Sequence, residues 1–222
     1  MRFRSLSLRS LRLRDPISAL THFVGALLSV AGLVLLIRAA IARGTPWHVA
    51  SFAIFGASLI LLYSASAVYH WLPVPERVHR ILRRVDHTMI FVLIAGSYTP
   101  FCLVPLRGAW GWSLFGVAWT VAAAGVILSI LWIEAPRWLY TGLYVAMGWM
   151  IVVAIAPLIR SVPAGGMAWF AAGGLFYTVG AAMYAFKWPN PFPKVFGFHE
   201  IWHLFVMAGS FSHFWVVLRY LT

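Results

Sequence analysis

The sequence predicts an all-α integral membrane protein, built as a bundle of seven transmembrane helices. Of its 222 residues, 62% are hydrophobic, and the mean hydropathy is +0.86. Only five residues are acidic. A chain with so few charged groups cannot cover a water-facing surface, whereas apolar segments of about 20 residues can each cross a bilayer as a helix.

Seven apolar segments are long enough to span a membrane, and turn-forming or charged stretches separate them. The predicted spans are 17–41, 47–71, 85–103, 110–133, 138–158, 167–186 and 199–221. Tryptophans lie near many of the predicted ends, as expected for residues that prefer the membrane interface. Residues 1–16 form a basic cytoplasmic segment ahead of the seven-helix domain, which covers 17–222.

The basic residues predict the orientation of these spans. With seven spans, twelve of the seventeen lysines and arginines fall on one side of the membrane. That side carries Arg2, Arg4, Arg9, Arg12, Arg14, Arg77, Arg80, Arg83, Arg84, Arg137, Lys187 and Lys194; the other carries Arg38, Arg43, Arg107, Arg160 and Arg219. Because basic residues accumulate on the cytoplasmic side, the N-terminus is predicted inside and the C-terminus outside.

The net charge of +12 has a simple interpretation in this setting. Most of the arginines flank apolar segments, where they fix topology and contact anionic lipid head groups. We therefore expect anionic lipids at the basic cytoplasmic loops, and no nucleic acid. The sequence specifies no oligomeric state.

Three of the predicted spans place chemically useful side chains at one depth, near the cytoplasmic side. His70 ends the second span, and Ser66 lies one turn deeper on the same helix face. Asp86 begins the third span. His199 and His203 begin the seventh, and their spacing of four places them about 6 Å apart on one face. Titratable groups inside a membrane are rare and usually functional.

These residue types suit a catalytic zinc site. Imidazole nitrogen binds zinc, and a catalytic zinc has three protein ligands and a fourth position for water. The ion lowers the pKa of its water to about 7 and polarises a carbonyl. A carboxylate such as Asp86 can hold that water and move its proton. The Ser66 hydroxyl could donate a hydrogen bond to a developing oxyanion, or Ser66 could be a small residue at a helix-packing interface.

Four other histidines are interpreted as residues that do not bind the ion, although His22 lies just inside the first span at a similar level. His22 and His213 are interpreted as hydrogen-bonded packing residues. His213 lies about 15 Å along the seventh span from His203, which is too far to bind the same ion. His48 and His79 are interpreted as interfacial or loop residues.

His87 and Glu200 adjoin the predicted site without belonging to it. His87 points about 100° away from Asp86 on a helix, so the two side chains are not expected to face one ion. Glu200 completes a His-Glu-x-x-His string typical of soluble zinc proteases, but a membrane boundary is the wrong setting for that match. We interpret Glu200 as a carboxylate at a helix start, where the helix dipole favours it.

Four stretches of the chain resemble the bacterial hemolysin III family, part of a superfamily of progestin and adiponectin-receptor-like proteins. They are THFVGALLSVAGLVLL at 21–36, SASAVYH at 64–70, DHTMIFVLIAGSYTPF at 86–101 and HEIWHLFVMAGSFSHF at 199–214. The resemblance covers nearly all of the chain. It implies a seven-helix bundle in the bacterial inner (plasma) membrane, with its N-terminus inside and a zinc ion near the cytoplasmic face.

The resemblance also implies roles for individual residues. The superfamily's Ser-x-x-x-His motif maps onto Ser66 and His70, its aspartate onto Asp86, and its His-x-x-x-His onto His199 and His203. In the receptor branch the three histidines hold the zinc and the aspartate reaches it through water. Because Glu200 stands outside the shared pattern, Asp86 is the expected acid/base. The same residue set links the superfamily to alkaline ceramidases, which hydrolyse lipid amides.

We expect a zinc-dependent, ceramidase-like hydrolase that cuts an amide or ester bond of a membrane lipid. The alternative is a non-enzymatic membrane sensor or lipid-homeostasis protein with a structural zinc, and a haemolytic pore-former is a third possibility. The long N-terminal domain of the adiponectin-receptor branch is not seen in this sequence, so no hormone-receptor role is implied. The single cysteine, Cys102, excludes an internal disulfide and a thiolate metal site.

Overall fold

The computed structural model describes residues 14–132, 134–193 and 195–222, and nearly all of these are helical. The helices are α1 (Pro16–Arg43), α2 (Pro46–Trp71), α3 (Glu76–Leu103), α4 (Ala109–Leu131), α5 (Arg137–Trp149), α6 (Ile155–Ser161), α7 (Ala164–Phe186) and α8 (Phe198–Tyr220). A 3₁₀ turn, Met150–Ala154, connects α5 to α6. The predicted all-α class is confirmed. Most of the basic segment 1–16, together with Lys194, lies outside the described residues.

Six helical stretches in the described chain are long and apolar enough to cross a membrane. They are Pro16–Arg43, Pro46–Trp71, Ala109–Leu131, Arg137–Ser161, Ala164–Phe186 and Phe198–Tyr220. Six of the predicted spans are therefore matched by apolar helices of sufficient length. The third predicted span lies in α3, which has 28 residues but carries Glu76 and several arginines in its first turns.

Successive helical stretches alternate in direction, as contacts at the two ends of the bundle show. At one end, Asp15 before α1 contacts His70 in the last turn of α2, and His70 contacts His199 in the first turn of α8. We call this the histidine end. Arg137 at the start of α5 meets Tyr184 near the end of α7 at the same level. At the opposite end, Trp47 in the first turn of α2 packs edge to face on Trp112 in the first turn of α4.

Small residues allow the first three helices to pack closely. A Cβ on Gly25 of α1 would lie 2.9 Å from the Tyr63 ring of α2, and one on Gly96 of α3 would collide with Ser58 of α2. Close approach of backbones at small residues is a main source of helix association in membranes, where apolar side chains gain little by leaving lipid. This packing fixes the positions of α1, α2 and α3 around the histidine end.

The fifth predicted span is interrupted, whereas the sequence predicted one continuous helix. The Tyr98 hydroxyl of α3 lies 2.8 Å from the carbonyl oxygens of Met147 and Gly148, to which it donates. The same hydroxyl accepts the N–H of Ile151 at 2.9 Å. Tyr98 therefore satisfies backbone groups that a continuous helix would pair internally. Pro157, which has no N–H, lies in the first turn of α6, where a missing donor is tolerated.

The predicted loop 72–84 is largely helical, which corrects the expected start of the third span. α3 begins at Glu76, directly after Pro75, and a carboxylate in the first turn is favoured by the helix dipole. Arginines and aliphatic residues, which are good helix formers, continue the helix into the apolar region. His79 was predicted to be interfacial or in a loop; it is not in a loop but lies in the first turns of α3, where it is buried and its ring stacks on Tyr69 with centroids 4.6 Å apart.

Candidate metal centre

Three histidines from two distant helices meet at the histidine end. His70 belongs to the last turn of α2, and His199 and His203 belong to the first two turns of α8. One ring nitrogen from each lies within 4.8 Å of the other two. The structure therefore brings together the three residues that the sequence predicted as metal ligands.

One distance in this cluster matches the spacing of two ligands on a tetrahedral ion. The Nε2 atoms of His70 and His199 are 3.3 Å apart. Two nitrogens bound tetrahedrally at a Zn–N distance of about 2.0–2.1 Å lie about 3.3 Å from each other. His70 and His203 are each only 3% exposed, so the donor set is largely shielded from solvent. Imidazole donors of this kind suit zinc and several other transition metals.

Asp15, which was not predicted as a site residue, holds the His70 ring. Its Oδ2 atom lies 3.1 Å from His70 Nδ1, and its backbone N–H donates to the His70 carbonyl at 3.2 Å. The hydrogen bond with His70 lowers the pKa of the Asp15 carboxyl below its ordinary value. An ionised carboxylate can only accept, so Nδ1 carries the proton and Nε2 keeps a lone pair directed toward His199. Carboxylates commonly orient metal-binding histidines in this way.

The start of α1 also contacts α8 through Glu200. The Ser18 hydroxyl donates to Glu200 Oε1 at 2.8 Å, and the Gly197 N–H donates to Glu200 Oε2 at 2.8 Å. One carboxylate oxygen of Glu200 thus caps the start of α8, and the other connects α8 to α1. The interpretation of Glu200 as a helix-start carboxylate is confirmed, and its oxygens do not join the cluster of candidate ligand atoms in the described chain.

His22, which the sequence placed at a similar level, packs directly against the cluster. Its ring stacks on the His203 ring, with centroids 3.7 Å apart and planes 11° apart. His213 stacks in the same manner on Phe170, at 5.1 Å. Neither histidine makes a hydrogen bond of regular geometry within the described chain. Both therefore pack against aromatic rings, as the sequence predicted for packing residues.

A cavity of about 780 Å³ adjoins the cluster and continues into the bundle. At the histidine end its wall includes Ser66, Asp86, His199 and His203, and it extends as far as His213. Between these limits the lining is mostly apolar, with side chains from α3, α5 and α7. A volume of this size is typical of small-molecule sites, and an apolar wall with a few convergent polar groups can hold and orient an apolar ligand.

Asp86 and Ser66 are buried on the wall of this cavity, with 9% and 1% exposure. The Asp86 carboxyl adjoins the Ser66 hydroxyl, and it lies outside the three-histidine cluster. The carboxylate can therefore act on a molecule in the cavity without being a metal ligand. His87 lines the same cavity, and its backbone carbonyl accepts the Tyr144 hydroxyl at 3.2 Å.

The fold and the site together define a multi-pass helical membrane protein whose histidine cluster, at one end of an internal cavity, can hold a metal ion. Residues 12–214 match the model of the family described as Haemolysin-III related. The chain therefore belongs to the haemolysin-III-related family, and the resemblance recognised in its motifs is confirmed.

Sequence identity to individual proteins supports this assignment. The chain is 39% identical to the Hemolysin-3 homolog of Bacillus subtilis (strain 168) over 203 residues, which cover 91% of this chain and 92% of that one. It is 41% identical to Hemolysin-3 of Bacillus cereus over 204 residues, 91% and 90% of the two chains. It is 28% identical to the monocyte to macrophage differentiation factor of Homo sapiens over 183 residues, 79% and 72%. With six apolar helices and these bacterial relatives, the protein is a multi-pass protein of the bacterial plasma membrane.

Proposed function

We propose that this protein is a zinc-dependent hydrolase that cuts an amide or ester bond of a membrane lipid. The observation that carries the proposal is the shared cavity wall, where clustered histidines and the Asp86 carboxylate face one mostly apolar space. A purely structural ion needs neither an adjacent cavity nor a carboxylate beside it. Both features are what a water-activating centre with a lipid substrate requires.

We place the histidine end at the cytoplasmic face and treat α3 as a seventh span. The basic residues described at this end are Arg14, Arg77, Arg80, Arg83, Arg84, Arg137 and Lys187. Such an accumulation marks the cytoplasmic side. Helix α3 is about 42 Å long at 1.5 Å per residue, so its apolar part can cross a core about 30 Å thick while its arginines stay at the interface.

His70, His199 and His203 would hold the ion, which when bound supplies a Lewis acid that polarises the lipid carbonyl and makes water more acidic. Asp86 accepts the proton of the attacking water. Ser66 donates a hydrogen bond to the carbonyl oxygen as negative charge develops there. The water oxygen bonds to the carbonyl carbon, the bond from that carbon to the amide nitrogen or ester oxygen breaks, and Asp86 returns the proton to the leaving group.

A non-enzymatic membrane sensor or lipid-homeostasis protein with a structural ion is the second candidate. One observation favours it: the site fastens together three helices, through Asp15 before α1, His70 of α2 and His199 of α8. An ion bound there would stabilise the bundle whether or not any lipid is cleaved.

Hydrolysis by purified wild type and the Asp86→Asn variant, compared at equal metal content, separates the two candidates. Ceramides and glycerolipid esters in mixed micelles present both bond types at an interface. We expect fatty acid release by the wild type and a rate lower by about 10²- to 10⁴-fold in Asp86→Asn, the usual effect of losing a general base. If the metal-loaded wild type cleaves none of these lipids, the hydrolase proposal fails and the structural ion becomes the better account.

A further inference from the structure

Two arginines line the cavity at the histidine end, beside the proposed reaction centre. Arg83 of α3 and Arg137 of α5 belong to the same wall as Asp86 and His87. Within the described parts of the chain, no other lysine or arginine lines this cavity. These two residues therefore differ from the other described arginines of the basic face in lining the cavity.

Aromatic rings hold the Arg137 guanidinium in place. Its central carbon lies 4.5 Å from the centre of the Tyr184 ring and 5.2 Å from that of Phe198. Its Nη1 donates to the Tyr184 carbonyl at 3.4 Å. The Tyr184 ring lies 5.8 Å from the His199 ring, so the guanidinium is separated from the metal cluster by a single side chain. A guanidinium stacked on rings presents its N–H edge to a ligand.

Arg83 has one weak ionic contact. Its Nη1 lies 3.9 Å from Glu134 Oε1, and the Glu134 side chain is 69% exposed. An exposed pair at this separation contributes little free energy, so it competes weakly with a bound anion. In the described residues, Arg137 makes no ion pair within 4.0 Å. The cavity wall at the histidine end therefore carries two guanidinium groups, of which Arg83 has one long ion pair and Arg137 has none within 4.0 Å in the described residues.

We propose that Arg83 and Arg137 form an anion subsite that binds a phosphate in the head group of the lipid substrate. Paired guanidinium groups match the oxygens of phosphate, to which they donate charge-assisted hydrogen bonds. The subsite rests on the proposed function, because it takes the scissile carbonyl to lie at the histidine cluster. It specifies a lipid whose phosphate is close to the cleaved bond, with the chain in the apolar part of the cavity.

Binding of a matched pair of lipids tests this subsite. Ceramide and ceramide phosphate share their chains and amide and differ in the phosphate, and inorganic phosphate supplies the anion without a lipid. Affinities are measured with metal-loaded protein carrying Asp86→Asn, so that no turnover interferes. We expect ceramide phosphate to bind at least about 10-fold more tightly than ceramide, as charge-assisted hydrogen bonds allow. Inorganic phosphate should bind far more weakly than ceramide phosphate.

Variants assign the preference to these residues. Arg83→Gln with Arg137→Gln should remove the preference for ceramide phosphate over ceramide. Arg137→Lys should retain part of it, because it keeps the charge but loses the planar fork. Arg77→Gln is the matched control, since Arg77 is exposed on α3 and does not line the cavity. Thermal unfolding without ligand shows whether each variant is folded.

The subsite would be overturned if the wild type showed no preference, or if the preference survived the double substitution. An equal loss in Arg77→Gln would overturn it as well, because that result would indicate general attraction to a basic surface. Inorganic phosphate binding as tightly as ceramide phosphate would also overturn it, because the site would then not recognise a lipid. Failure of the proposed function is distinct from these results. A phosphate preference that depends on both arginines, in a wild-type protein that hydrolyses nothing, would retain the subsite and reject the hydrolase.

Discussion

The Asp15 carboxylate and the His70 ring form a hydrogen bond of 3.1 Å between residues 55 positions apart. This bond connects the segment before α1 to the end of α2, and it leaves the other ring nitrogen of His70 facing His199. A ring fixed by a carboxylate loses less freedom when it binds a metal, and its nitrogen becomes a better donor. Asp15 is thus a positioning residue for the proposed ion.

Substitution of Asp15 should weaken metal binding without removing a ligand. We expect Asp15→Ala to lower zinc affinity by about 10- to 100-fold, the usual range for a lost partner of a metal-binding histidine. Competition with a chromophoric chelator measures the affinity in detergent. Glu134→Ala is the matched control, because Glu134 is an exposed acid at the same end and lies outside the cluster. Wild-type affinity in Asp15→Ala would show that the hydrogen bond does not position His70.

Two further substitutions should separate transition-state stabilisation from structural support. We expect Ser66→Ala to reduce lipid hydrolysis less than Asp86→Asn does, because one hydroxyl is at most part of an oxyanion site.

Glu200→Gln should retain hydrolysis and unfold at a lower temperature, because one of the two acceptors that hold Ser18 and Gly197 is lost. Loss of activity in Glu200→Gln with full zinc content would instead indicate that Glu200 acts in catalysis, as in the His-Glu-x-x-His pattern of zinc proteases.

The interruption between α5 and α6 should depend on a hydroxyl group from another helix. We expect Tyr98→Phe to destabilise the protein by about 1–3 kcal/mol, because buried backbone groups of the turn lose their partner. Thermal or denaturant unfolding in detergent measures this change. Tyr140→Phe is a useful comparison, since its hydroxyl bonds to carbonyl groups only, at Trp132 and Leu128. Equal stability of Tyr98→Phe and wild type would show that the turn is maintained by the local chain.

Reporter fusions test the proposed orientation. With α3 as a seventh span, a reporter in the connection between α2 and α3 should be cytoplasmic, and one after Thr222 should be outside. The prediction follows from the accumulation of arginines at the histidine end. A cytoplasmic reporter at Thr222 would contradict the placement of the histidine end at the cytoplasmic face, because α8 runs from that end to Thr222.

Much of the helical framework could be predicted from hydrophobic segment lengths alone. The observed bounds of α1, α2, α4, α7 and α8 lie within a few residues of the predicted spans. The early start of α3 could not be predicted from hydropathy, because its first turns are charged and charged residues are also typical of loops. The break after α5 was missed because the Tyr98 hydroxyl comes from a different helix, a contact that no local pattern contains.

The candidate site could likewise be predicted only in part from the sequence. His70, His199 and His203 could be predicted because a four-residue spacing and a common depth in the membrane are visible in the sequence. Asp15 could not, because its partner His70 is brought near only when α1 packs on α2. The ring contact of His22 with His203 was likewise invisible, since it depends on how α1 meets α8.

The zinc content of the purified protein, measured by mass spectrometry of the metal, tests whether the three histidines hold an ion. We expect stoichiometric zinc in the wild type and in His213→Ala, and little zinc in His203→Ala. His213 is the matched control because it is also a buried histidine of α8 but lies outside the cluster. His203→Ala should also unfold at a lower temperature, because metal binding contributes to folding free energy. Equal zinc in His203→Ala and the wild type would show that His203 is not a zinc ligand.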